Sequence, residues 1–284
     1  MILSAILLAF GAMLSWGIGD FLIQRSTRKI GNVEALAWIG IIGTIGLLPF
    51  AIHDFSMITK DTLILLGSLG VLVFIAAIFN FEALKEGKLS VIDVLLEIEL
   101  PITIAMSMVF LKEILSFTQI MLILLIMIGI ILIATSSFAH LRFRLERGVI
   151  FAIIASLFMG LVNYFTATSA KNVSPIMAVW APWFIFSLFC LVIIIRRKGF
   201  TQFFSHIKTF TWLIIFMGIF DTLAWVFYAF AVEQNYVSLT TAITEAYPAI
   251  ALILGVWFNK EKIRWHQYLG AGLALVGSVV LAIL

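Results

Sequence analysis

Residues 90–113 read SVIDVLLEIELPITIAMSMVFLKE, and residues 238–261 read SLTTAITEAYPAIALILGVWFNKE. The two stretches are equally long and laid out alike. Each opens on a serine (Ser90, Ser238), carries a glutamate (Glu97, Glu245) and then a proline (Pro101, Pro248), and closes on Phe-x-Lys-Glu, from Phe110 to Glu113 and from Phe258 to Glu261. Working outward at the same shift, Phe79 meets Phe227, Ala83 meets Ala231, Gln119 meets Gln267 and Gly129 meets Gly277. The prolines fall one position out of step, so the match is not strict. The front of each half is fainter: Trp16-Gly17-x-x-Asp20-Phe21 sits against Met159-Gly160-x-x-Asn163-Tyr164. A fixed period of this kind marks an internal repeat.

The repeat lies in a very apolar chain. Of 284 residues, 63% are hydrophobic and 12% charged, and the mean hydropathy is +1.17. A folded soluble protein has a large surface to cover with polar groups, and this composition cannot cover it. A soluble enzyme, a disordered chain and a nucleic-acid-binding domain are excluded. A helix needs about 20 apolar residues to cross the hydrocarbon of a bilayer. Windows of that kind fall at 2–23, 33–52, 62–83, 89–111, 117–137, 148–170, 175–196, 210–232, 238–258 and 265–284. They are continuous rather than alternating, which excludes a β-barrel. The fold expected is an all-α polytopic membrane protein of ten transmembrane helices. It divides into a first five-helix repeat (1–137), a connecting loop (138–147) and a second five-helix repeat (148–284). An odd number of crossings per repeat makes the two run in opposite directions, the inverted arrangement on which many secondary transporters are built.

Charge orients the chain. The net charge is +3, and the Lys and Arg residues fall in the connections, with main clusters at Arg25, Arg28 and Lys29, at Arg142, Arg144 and Arg147, and at Arg196, Arg197 and Lys198. The even-numbered connections hold only Lys60, Lys112 and Lys171. Basic connections stay in the cytoplasm, so this bias puts both termini outside an integral, multi-pass cytoplasmic membrane protein. The N-terminal MILSAILLAFG has no basic residue before its apolar run, so a cleaved signal peptide is not expected. The one cysteine, Cys190, excludes an intrachain disulfide and a multi-cysteine metal site.

Two five-helix halves, prolines in helices 4 and 9, Lys-Glu near the next helix (Lys112-Glu113, Lys260-Glu261), Trp16-Gly17 in helix 1 and the Gln119–Gly129 and Gln267–Gly277 spacings resemble the drug/metabolite transporter superfamily, EamA-type. The resemblance spans essentially the whole chain. It implies a central cavity lined by helices 1, 3, 4, 6, 8 and 9, alternating access, and export or exchange of small metabolites, amino acids among them. Members of this superfamily are often drawn with cytoplasmic termini, against the charge bias here.

The acidic residues behave unlike the basic ones. Asp20, Glu82, Asp93, Glu97, Glu99, Asp221 and Glu245 all fall inside apolar windows that hold no basic partner. An ionised carboxylate at mid-membrane costs on the order of 2.5–3.5 kcal/mol by insertion scales. Such groups carry a proton, hold a cation, face a wet cavity or sit near a helix end. Glu82 and Asp93 lie near ends and are expected to snorkel. Glu97 and Glu245 are repeat-related and sit roughly 10 Å into their helices at about 1.5 Å per residue, so they are the candidates for proton or cation coupling. Glu99, two residues from Glu97, would point away on a continuous helix and is held in reserve.

Trp16 and Asp20 share one stripe of helix 1, and Asp221, Trp225 and Tyr228 share one face of helix 8. Asn163 and Tyr164 are the repeat partners of Asp20 and Phe21. Aromatic faces beside carboxylates hold ammonium groups, so Trp16, Asp20, Asn163, Tyr164, Trp225 and Tyr228 are candidate substrate contacts. Pro101 and Pro248 remove helix hydrogen bonds and are candidate gating kinks. Trp38, Trp180, Trp183, Trp212, Trp257 and Trp265 read as lipid or interface contacts. Gly40, Gly43, Gly46, Gly67 and Gly70 read as helix-packing positions, and His53, His140, His206 and His266 as solvated.

No Walker loop, HExxH or GxSxG is present, so no enzyme, metal or cofactor is expected and ATP cannot drive transport from within this chain. The function expected is secondary active transport of small polar, amino-acid-like metabolites by alternating access, open to proton coupling. The alternatives are an organic-cation (choline- or drug-like) transporter with an aromatic-acidic site, and a non-transporting scaffold or flippase-like subunit. The partners expected are a small-molecule substrate and the lipid bilayer, with no nucleic acid. One chain holds both halves, so a monomer suffices.

Overall fold

A computed structural model of the protein describes residues 2–86, 95–135, 147–260 and 262–284. Ser90, Asp93, His140, Arg142, Arg144, Glu261 and nearly all of the loop expected at 138–147 lie outside the described residues. In hydrocarbon every backbone N–H and C=O must be bonded internally, which apolar chain achieves as helix. The elements are α1 (Ile2–Ile30), α2 (Asn32–Ala51), α3 (Lys60–Glu86), α4 (Glu99–Phe110), α5 (Phe117–Ala134), α6 (Arg147–Asn172), α7 (Pro175–Arg196), α8 (Phe200–Thr209), α9 (Thr211–Gln234), α10 (Val237–Thr244), α11 (Tyr247–Asn259) and α12 (Trp265–Ile283). Nine stretches among the described residues are long and apolar enough to span a bilayer, one of them made of α10 and α11 together; α4 is a shorter apolar helix.

Several expectations give way to local chemistry. The windows at 89–111 and 238–258 are not single helices. Residues Glu97–Ile98 and Glu245–Ala246 form turns, at repeat-related positions, between helical segments. The ladder tightens there in the same way twice: Ile98 N–H donates to Leu95 O at 3.2 Å and Ala246 N–H donates to Ile243 O at 3.3 Å. Pro101 and Pro248 therefore stand in the first turns of α4 and α11 rather than kinking an intact helix. A proline is tolerated there because its missing N–H would have no partner in any case. The connection expected at Arg197–Thr209 contains α8, which lays Phe203 on Trp38 in a stacked pair at 4.3 Å. The connection at His53–Asp61 holds most of a 3-10 turn, Ile52–Met57. Helices also outrun their apolar windows, so Arg25, Arg28 and Lys29 are the last turns of α1.

The repeated glutamines have a local role. Gln119 Oε1 accepts Ser116 N–H at 2.9 Å, and Gln267 Oε1 accepts Arg264 N–H at 3.0 Å, each at the start of its half's last helix.

Packing is reciprocal between the halves. α1 lies along α9 and α3 along α6; α2 pairs with α7 and α5 with α12. A Cβ on Gly17 would stand 2.5 Å from Ile250 Cβ and 3.0 Å from Tyr247 O. A Cβ on Gly160 would stand 2.5 Å from Ile102 Cγ2 and 3.2 Å from Glu99 O. Gly17 and Gly160 are repeat partners, and so are Ile250 with Ile102 and Tyr247 with Glu99. Each half thus presses its first helix on the other half's α11 or α4 just past the break. α5 and α12 close in the same small-residue fashion, Gly129 against Gly270 and Ala274.

Of the glycines expected to pack, Gly40, Gly43 and Gly70 do, against Phe186, Trp183 and Ile185; Gly46 and Gly67 face open space. Trp212, Trp257 and Trp265 are more than 70% exposed, as lipid or interface contacts should be. Trp38 and Trp183 are buried in the protein core instead: Phe203 of α8 stacks on Trp38, and Trp183 is enclosed between Gly43 of α2 and Trp225 of α9. His266 is buried with Nε2 at 2.8 Å from Thr135 O, and His206 is half-buried, so neither is a solvated histidine.

Candidate functional site

A cavity of about 210 Å³ lies between the halves. α1 and α9 run antiparallel along it, so Trp16 meets Trp225 and, one turn on, Asp20 comes beside Asp221. The Trp16 and Trp225 rings meet edge to face at 5.1 Å. Trp183 of α7 adds a second edge contact to Trp225 at 5.6 Å, and Tyr247 approaches Trp16 at 6.2 Å. α1 and α9 pack at ordinary van der Waals distance here: a Cβ on Gly19 would stand 3.5 Å from Asp221 N.

The helix breaks supply the other carboxyl groups. Glu97, Glu99 and Glu245 all line the cavity. Glu99 and Glu245, one from each half, hydrogen-bond to each other through their side chains. The expectation that Glu97 excludes Glu99 is therefore corrected: it assumed an unbroken helix, and the turn at Glu97–Ile98 brings both inward. Asp20, Asp221, Glu97, Glu99 and Glu245 make five carboxyl groups in the wall, and no Lys, Arg or His lines it among the described residues. Among the described residues there is also no group of three or more His, Cys, Asp or Glu arranged to hold a metal.

The remaining candidates separate. Asn163 lines the cavity, and its Nδ2 donates to Thr103 Oγ1 at 3.3 Å. Tyr164 does not reach the cavity; it packs on Phe110 at 5.7 Å and Phe165 at 5.3 Å. From α6 the cavity takes Met159, Val162 and Asn163, and Tyr164, about 100° further round, falls on the outer side. Tyr228 stands behind the box rather than in it: it is fully buried, its hydroxyl pairs with Thr241 Oγ1 at 2.9 Å, and its ring supports Trp16 at 5.6 Å and Trp225 at 5.9 Å. Pro101 and Pro248 flank the cavity through the breaks they follow.

Sequence reasoning missed Trp183, Tyr247, Asn80 and Glu113. Tyr247 had a signal, since it is the repeat partner of Glu99. Asn80 had none beyond its polarity in an apolar helix; its amide oxygen is buried without a partner beside the cavity. Glu113 is buried, and its carboxylate accepts Val237 N–H at 2.6 Å, Ser238 N–H at 3.0 Å and the Ser238 hydroxyl at 2.6 Å. It caps α10, whose far end delivers Glu245 to the cavity. The repeated Ser90/Ser238 and Glu113/Glu261 pairs were its trace in the sequence.

Comparisons with known proteins agree with this architecture. A solved crystal structure at 16% sequence identity superposes with a TM-score of 0.80, covering 99% of this chain and 96% of its own. An uncharacterised protein of Methanocaldococcus jannaschii is 33% identical over 136 residues, which is 47% of this chain and 98% of that protein. The sequence model of the EamA-like transporter family matches twice, over residues 3–135 and again over 146–283. The chain belongs to the EamA-like transporter family, and is an integral, multi-pass membrane protein of helical fold.

Proposed function

We propose that the protein is a secondary transporter that carries a small, positively charged organic solute by alternating access of the cavity between α1, α4, α9 and α11. The observation that carries this reading is the cavity wall: five carboxyl groups and an edge-to-face tryptophan box, with no cationic side chain among the described residues. A quaternary or primary ammonium finds both charge and π-faces there. An amino-acid-like solute would bring a carboxylate into the same wall with no basic residue to receive it, so the geometry favours the cation over the zwitterion. The two halves run in opposite directions, and the paired breaks at Glu97–Ile98 and Glu245–Ala246 are where each half can bend. Glu97, Glu99 and Glu245 at those breaks are the coupling groups, available to a proton or to the substrate cation. By the bias of its basic clusters, the chain sits in the cytoplasmic membrane with its termini outside.

Flux of labelled tetraethylammonium and of a panel of amino acids into proteoliposomes, with and without a pH gradient, tests the reading. Saturable cation flux is expected, and Trp16→Ala is expected to weaken tetraethylammonium binding about tenfold or more, the loss of a desolvated cation–π contact. Amino-acid flux without cation flux would replace the cation by a zwitterion. Absence of flux for every solute would leave a non-transporting scaffold or flippase-like subunit.

A further inference from the structure

The carboxyl groups are not spread evenly round the cavity. Asp20 and Asp221 face each other across α1 and α9. Glu99 and Glu245 meet at the helix breaks with Glu97 beside them. Trp16 marks the level of the second group, because its ring lies against Tyr247 and Gly17 abuts the Tyr247 carbonyl. Asp20 is one turn further along α1 than Trp16, and Asp221 is one turn from Trp225 along α9 in the same sense. The two acidic poles are thus about 6 Å apart along the α1–α9 axis, from four residues at about 1.5 Å each. The rings of Trp16 and Trp225, edge to face at the level of the second pole, form the aromatic wall from which the first pole lies one turn away, with Trp183 behind Trp225. The Asn80 amide oxygen, buried and unpartnered at the cavity, adds a neutral acceptor to the wall.

Two acidic poles joined by an aromatic wall suit a molecule with two positive ends and an apolar middle. Resting on the reading of this cavity as a cation site, we propose that the preferred substrates are short α,ω-diamines, with one ammonium at Asp20 and Asp221, the other at Glu99 and Glu245, and the methylene chain laid on Trp16 and Trp225. The nitrogens of a four- or five-carbon diamine are spaced to reach both poles. A monoamine of the same length fills the same volume but leaves one pole empty.

The test is a pair of isosteres. Binding of 1,4-diaminobutane and of n-butylamine to the purified full-length protein is measured by quenching of tryptophan fluorescence, and their inhibition of tetraethylammonium flux is measured in proteoliposomes. The diamine is expected to bind roughly tenfold or more tightly than the monoamine, one charge-assisted contact more. The Asp20→Asn/Asp221→Asn double variant is expected to narrow that ratio toward one. Equal affinity of the two amines for the wild-type protein overturns the proposal and leaves the monocation reading standing. A ratio that the double variant does not narrow overturns the assignment of the pole. Failure of both amines and of tetraethylammonium to bind or move overturns the proposal together with the cation reading beneath it. The wild-type ratio decides the first question even if the double variant does not fold.

Discussion

The Glu113 carboxylate accepts the Ser238 hydroxyl at 2.6 Å, and so ties the end of one half's broken helix to the first turn of the other's. The same carboxylate takes the backbone N–H groups of Val237 and Ser238. Removing it leaves three donors in an enclosed site. Glu113→Ala is expected to lower stability in detergent by about 2–4 kcal/mol, several unmet donors at 1–3 kcal/mol each with partial relief by water. Ser238→Ala should lose only about 1 kcal/mol. A double-mutant cycle on thermal melts should give a coupling between the two residues; additive effects would show that the contact does not form.

Gly17 leaves no room for a side chain against Ile250 and the Tyr247 carbonyl. Gly17→Ala is expected to destabilise by about 1–3 kcal/mol through overpacking. The second change Ile250→Ala should restore part of that loss, because it removes the atoms that the new methyl meets. Gly160→Ala with Ile102→Ala should behave likewise, since Gly160 stands against Ile102 in the same relation. An unshifted melting temperature for either single variant would mean that the helices sit further apart.

Two carboxyl groups can share a hydrogen bond only with a proton on one of them, and Glu99 and Glu245 share one. A cation arriving between them competes with that proton. Tetraethylammonium uptake is therefore expected to slow as the pH falls. The Glu99→Gln/Glu245→Gln double variant should lose most of that dependence, whatever its residual rate. An unchanged pH profile in this variant would remove the pair from coupling.

Lys112 and Lys260, repeat partners in Phe-x-Lys-Glu, both take left-handed backbone with φ of 55° and 54°. That conformation costs a non-glycine residue about 1–2 kcal/mol. Lys112→Gly and Lys260→Gly are each expected to raise stability by up to about 1 kcal/mol, after the added freedom of the unfolded chain is deducted. Valine at either position should lower it, and the melts of the four variants check the order.

Much of this was legible in the amino-acid sequence. The apolar windows located the spans because a membrane helix must satisfy its backbone alone. The match of Glu97 to Glu245 pointed to the helix breaks without identifying them as breaks. The misplaced residues have separate physical causes. Excluding Glu99 assumed that helical spacing ran through residue 97, where the chain turns. Tyr164 was grouped with Asn163 by pairing along the chain, although neighbours diverge on a helix. Trp183 and Trp38 looked like lipid contacts because composition cannot say which face of an all-apolar helix meets protein. That depends on the partner helix, which lies far away in sequence.

The reciprocal seating of Gly17 on Ile250 and of Gly160 on Ile102 has a consequence for biogenesis. α1 is among the first helices to enter the membrane, yet its neighbours α9 and α11 are translated only after most of the chain has been made. Until then the stripe bearing Trp16 and Asp20 has no native partner and must wait among lipids or beside the insertion machinery. Neither half can mature alone, so assembly of the transport path comes as one late event near the end of translation. A lesion in α11 should therefore appear in the cell as premature turnover of the whole chain, with α1 as the segment left exposed.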